Sequence, residues 1–143
     1  MQGICPTGWH VPSDAEWTEL LDYVVAKGYP NYNVLNGAGN ALKSCRQVSS
    51  PLVGDCATSE HPRWNSNSTR YGTDEFGFSA LPGGRRGTDG NYANLGVYGH
   101  WWSSTQFSTS IAWFRFLRND NGHMYYNYLS KDLGFSVRCV KDN

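Results

Sequence analysis

The chemistry this chain could perform turns first on four cysteines, four histidines and one adjacent pair of carboxylates. Cys5, Cys45, Cys56 and Cys139 contain no C-x-x-C pair, whereas a structural zinc site usually brings two close ligand pairs. His10, His61, His100 and His123 are scattered, and none has a partner four residues away on a helix. Two disulfides are therefore the favoured reading, and they imply an oxidising compartment. Four cysteines allow three pairings. Cys45–Cys56, closing a short loop, and Cys5–Cys139, tying the ends together, are preferred over the other two. The second would constrain the unfolded chain most, by roughly 4–5 kcal/mol on the loop-entropy account. The alternative is four buried free thiols.

Asp74 and Glu75 in "TDEFG" make a poor acid–base pair, because successive residues of a strand point apart. They are expected to fix a turn or to pair with Arg85 or Arg86. "LPGGRRG" has the glycines of an anion-binding loop but no strand–loop–helix context around it. "RNDN" supplies two Asn and one Asp, short of the six to eight oxygens a calcium cage needs. The expectation is a protein with no catalytic residues, no metal and no cofactor.

That leaves binding, and one stretch stands out. "AWFRFLRNDNGHMYYNYLS", residues 112 to 130, crowds Trp, Phe and Tyr around a polar turn. Asp-Asn-Gly between alternating runs is a strong hairpin signal. Alternate side chains of a strand face opposite sides. One face of the first run carries Trp113, Arg115 and Leu117, the other Phe114, Phe116 and Arg118. On the return, Met124 and Tyr126 share one face, and His123, Tyr125 and Asn127 the other. Trp113, Leu117 and Met124 make the more convincing core set. Phe114, Phe116, Arg118, Asn119, Asp120, Asn121, His123, Tyr125 and Asn127 are then expected to face outward as a ligand-binding surface. The competing reading is that a second layer or a long loop covers them.

The elements that must position this hairpin are legible. "SDAEWTELLDYVVAKG" opens with the capping box Ser13-x-x-Glu16. Trp17, Leu20, Leu21 and Val24 share one helical face, and Gly28 can end the helix. "GAGNALKSC" reads as a shorter second helix. Residues 46 to 70 read as an irregular loop, of a length that is usually functional or stapled. "NST" at Asn67 matches a glycosylation acceptor, a weak pattern. "FGFSALPGGRRG" reads as a short strand ending in a turn, and "HWWSSTQ" and "GFSVRCVK" as two further strands. Helices first and strands later give an α+β class with a largely antiparallel sheet.

The 143 residues suffice for one domain, residues 1–143, with its own core. The formal net charge of +0 leaves no electrostatic footprint for nucleic acid. No apolar run is long enough to span a membrane. "MQGICPTGWH" lacks the basic and apolar regions of a signal peptide, so an export signal or anchor would lie outside this chain. Aromatic residues make up 15% and glycines number 16. That mixture recurs in recognition surfaces, where Tyr gives contact area at low entropy cost.

"ICPTGWHVPSDAEWTELLDYV", "YGTDEFGFSALPGG", "WWSST" and "GFSVRCVKD" together resemble the Fibrobacter succinogenes major paralogous domain over nearly the whole chain. That resemblance implies a C-type lectin-like fold: two helices, small antiparallel sheets and long irregular loops, with the termini together. It implies a secreted or surface protein of bacteria, of which this domain would be the C-terminal part. It also implies that Trp113, Arg115, Leu117, Lys131, Gly134, Phe135, Ser136, Val137 and Arg138 are scaffold, with the looser positions between them variable. The last third is also similar to variable proteins of diversity-generating retroelements, whose mutagenised Asn codons present Tyr, Phe, Ser, Asn, Asp and His to a ligand. The expected function is a non-enzymatic receptor or adhesin domain, extracellular or on the cell surface, facing a protein or glycan on another cell, with no nucleic acid partner and no membrane span. A structural module of a surface array is the alternative, and an enzyme related to formylglycine-generating proteins a minor one.

Overall fold

A computed structural model describes residues 3–143. Met1 and Gln2, part of the opening stretch read above for a signal peptide, lie outside the described residues. The class is α+β with small antiparallel sheets and long loops, as the order of elements predicts. Strand β1 (Trp9–His10) precedes helix α1 (Asp14–Ala26), and a short α2 (Ala38–Leu42) follows. After a long irregular stretch, broken only by a 3₁₀ turn at Gly54–Cys56, come β2 (Arg85–Arg86) and β3 (Tyr92–Ala93). The central sheet is β4 (Tyr98–Gln106), β5 (Ile111–Arg118) and β6 (Tyr125–Ser130), and β7 (Val140–Lys141) returns to pair with β1.

Helix α1 begins where the sequence says it should. The Ser13 hydroxyl accepts from the Glu16 N–H, and the Glu16 carboxylate accepts from the Ser13 N–H, closing the capping box. Trp17 and Val24 are buried on its inner face, with Leu20 and Leu21 packed beside them. Both preferred disulfides form, Cys5–Cys139 and Cys45–Cys56. The former, with the β1–β7 ladder, holds the two chain ends together.

Two strand expectations need correction. "FGFSALPGG" forms no strand; Ala80 and Gly84 make isolated bridges to Lys43 and Gly99, and the first strand after them starts at Arg85. The left-handed backbone at Asp74 and Ser79 prevents an extended run there. "GFSVRCVK" is strand only at Val140–Lys141; Gly134 and Ser136 bridge singly to Arg86 and Trp101. That tail therefore runs between β2 and β4 instead of adding a full strand.

The β5–β6 turn is pinned from several sides. The Gly39 N–H donates to the Gly122 carbonyl, and the Gly122 N–H donates to Asn33 Oδ1. A Cβ at Gly122 would sit 2.5 Å from the Val34 carbonyl oxygen, so only glycine fits this approach. The buried Lys43 ammonium donates to the carbonyls of Arg70 at 2.5 Å, Arg118 at 2.9 Å and Asn121 at 3.0 Å. Strand β6 is the sheet's outer strand. Its free edge is partly closed by asparagines: Asn31 pairs with both the N–H and the carbonyl of Met124, and Asn127 Oδ1 takes the N–H of Tyr128.

Candidate functional site

The central sheet presents two faces, and the register divides the hairpin residues as alternation predicts. Phe116 lies opposite Tyr125 and Phe114 opposite Asn127, while Arg115 lies opposite Tyr126 and Trp113 opposite Tyr128. What differs from expectation is which face is covered.

The Phe114 face is covered by the tail. Phe135 folds onto it and packs against His100 at 4.7 Å, Trp102 at 4.4 Å and Phe114 at 4.7 Å between ring centroids. Leu133 and Val137 complete the layer. Phe114 is only 3% exposed, so the expectation that it faces a partner is overturned. A row of stacked rings crosses all three strands, His100 on Phe116 and Phe116 on Tyr125 at 4.8 Å. His123 packs on Tyr125 at its end. Phe116, Arg118, Asn119, His123 and Tyr125 are half-buried, and Asp120 and Asn127 are exposed. Asn121 is buried, its Oδ1 accepting from the His123 N–H, so it shapes the turn and is not displayed. Arg118 forms a two-pronged pair with Asp120. The Asn127 Oδ1 accepts from the Tyr128 N–H. The expected residues thus lie together, with Phe114 and Asn121 withdrawn from the surface and the others half-buried or exposed.

Burial sets the electrostatics on this side. Desolvation pushes the His100 imidazole down to about 4, so it is neutral in its stack, and lowers His123 more weakly. Burial likewise pushes Lys43 down to about 7, against the pull of Asp120. The Asp120 partner raises Arg118.

The opposite face is half covered. Under α1 it forms the main core, where Leu117 and Met124 are buried as expected. Arg115 is buried too, its Nε and Nη2 donating to Asp14 Oδ1 at 3.0 and 2.8 Å, with Nη2 also reaching Thr18 Oγ1. Beyond Arg115 the cover ends. Phe107 and Tyr128 stack at 4.1 Å with 5° between planes, and Trp113 meets both edge-on at 6.0 and 4.9 Å. Tyr126 lies 5.9 Å from Trp113, and its other neighbour is the Arg115 guanidinium at 5.3 Å. Phe107 is 53% and Tyr126 63% exposed. These four rings form the open aromatic patch of the molecule's sheet.

Alternation placed Tyr126 on the core side, and Phe107 lay outside the hairpin runs. A length argument would have found the patch. Strand β5 extends for about 27 Å, against about 20 Å for α1, which cannot cover the strand's whole length. Elsewhere, Asp74 fixes a turn by accepting from the Ser79 N–H and hydroxyl, and makes no ion pair with Arg85 or Arg86 among the described residues. Asn67 Oδ1 accepts from Thr69 and Arg70, which ties its side chain into a local turn.

The sequence pattern of the Fibrobacter succinogenes major domain matches residues 1–141, and the chain belongs to that family. No curated protein and no solved structure matches it.

Proposed function

We propose that this is a non-enzymatic ligand-binding module of a secreted or surface protein, and that the patch of Phe107, Trp113, Tyr126 and Tyr128 is its contact surface. The observation that carries this is the exposure of stacked and edge-on rings at the end of a sheet face whose remainder is sealed by α1. Rings supply large contact area with little entropy to lose, and clustered exposed ones mark interaction surfaces. A module with only a structural task would have no use for an uncovered Tyr126 and Phe107. Two disulfides support an oxidising environment, and no helix among the described residues is long and apolar enough to cross a membrane. The joined chain ends and the long stapled loop support a C-type lectin-like assignment.

The test is a screen of glycans and surface proteins with the full chain, followed by Tyr126→Ala and Phe107→Ala. Each is expected to weaken binding by about 1–3 kcal/mol while leaving the fold intact. Phe116→Ala, in the covered stack, is expected to act on stability instead. Binding that survives loss of the patch rings but not of Phe116 and Tyr125 would restore the sequence-based site. Retroelement diversification is tested by sequencing the region coding for residues 106–132 across a source population. Substitutions confined to adenine-rich codons, with Trp113 and Gly134 fixed, support it, and an invariant stretch removes it.

A further inference from the structure

On the side of the sheet opposite the ring patch, a cleft of about 680 Å³ opens between β4–β5 and the paired chain ends. Its size lies in the range of small-molecule sites. Two indoles line it: Trp102, which is buried in the sheet, and Trp9, which is 45% exposed. The Cys5 half of the Cys5–Cys139 disulfide forms part of the wall. The polar lining is Ser103, whose hydroxyl is used on the Trp113 carbonyl, with Ser104, Gln106, His10 and Lys131.

The two cations in that lining differ. His10 is fully engaged, Nδ1 with Asp142 at 2.6 Å and Nε2 with Glu16 at 2.8 Å, so its one positive charge faces two carboxylates and this end of the cleft offers an anion nothing. Lys131 forms no ion pair among the described residues. It is held in place by neutral acceptors, the Gln106 Oε1 and the Thr109 carbonyl. With its oxygen so used, the Gln106 side chain has its amide N–H₂ left as a donor, and the exposed Ser104 also lines the cleft. Flat apolar walls, hydroxyl and amide groups at the rim and one positioned ammonium without a counter-charge suit a ligand with an apolar C–H face, several hydroxyls and one carboxylate.

We propose that this cleft binds a carboxylate-bearing pyranose, its C–H face against the indoles and its carboxylate on Lys131. The resemblance marks Lys131 as scaffold, and its bonds to the β4–β5 hairpin do serve that role. The same bonds fix the ammonium where a ligand would meet it. The site is independent of the ring patch.

The experiment is titration of the full chain with sodium glucuronate, glucose and benzoate at matched ionic strength, read by calorimetry and tryptophan fluorescence. Glucuronate is expected to bind at least about tenfold more tightly than glucose, which lacks the charge, or benzoate, which lacks the hydroxyls. Lys131→Met is expected to reduce glucuronate to the level of glucose, Lys131→Arg to retain the preference, and Trp9→Ala to weaken both sugars. Tyr126→Ala is expected to change nothing here, which separates this site from the patch. A trisaccharide ending in glucuronate distinguishes a polysaccharide end, if it binds more tightly, from the free sugar. Equal binding of glucuronate and glucose, equal binding of benzoate, indifference to Lys131→Met, or no binding of either sugar would each overturn the proposal.

Discussion

The two faces of the β4–β5–β6 sheet carry similar rings and have opposite fates. On one, Phe114, Phe116 and His100 are stacked under Phe135, a residue far along the chain. On the other, Leu117 and Met124 are sealed by α1, while Phe107, Tyr126 and Tyr128 are left open. Aromatic content does not decide exposure. What decides it is the reach of the covering element: the tail that follows β6 on one face, and α1, from the other end of the chain, on the other.

The comparison breaks most readily at the covered face. Phe114→Ala is expected to cost about 3–5 kcal/mol, since a fully packed ring leaves a cavity behind. Denaturant titration measures it, and a loss below about 1 kcal/mol would mean the tail does not seal this face. Next comes the joint between helix and sheet. Asp14→Ala removes the carboxylate from buried Arg115 and is expected to destabilise by about 3 kcal/mol, the guanidinium then being uncompensated. Because Arg115 also lies against Tyr126, the variant should loosen the patch as well, visible as altered near-ultraviolet circular dichroism.

A smaller effect distinguishes two histidines by sign. His100 is held low, so its contribution is fully present above the ordinary histidine value near 6.5 and is lost as pH falls towards about 4. His10 is raised, first by Asp142 and then by Glu16, so its contribution is present below that ordinary value and disappears as pH rises through its higher folded one. Melting temperatures against pH should therefore show His100→Phe flattening the fall on the acid side. His10→Gln should flatten the decline on the neutral-to-alkaline side. Identical profiles for both variants would refute the assignment.

Local signals were read correctly where local physics governs. The capping box, the apolar face of α1, the Asn-Asp-Asn-Gly hairpin and the alternation of side chains all depend on residues within a few positions of each other. The site was only partly legible. Phe114 was placed outward because Phe135 gives no sign in its own segment that it will fold over β5. Tyr126 was placed inward because alternation reports a shared face and not how far α1 extends along it. Asn121 looked available because a polar turn usually faces water; here Lys43 holds its carbonyl and Gly39 of α2 holds that of the neighbouring Gly122. Lys131 showed no ligand signal, since its lack of a counter-charge is a fact of three dimensions.

The asparagines along the outer edge of β6 have a consequence for life in a crowd. An outer strand with Tyr126, Tyr128 and Leu129 exposed and no proline has the makings of a template on which another copy could zip. Asn31 and Asn127 fill some of its vacant donor and acceptor positions from within the same molecule. That edge is thereby less open to pairing with a second copy of the chain, although the rings beside it stay exposed.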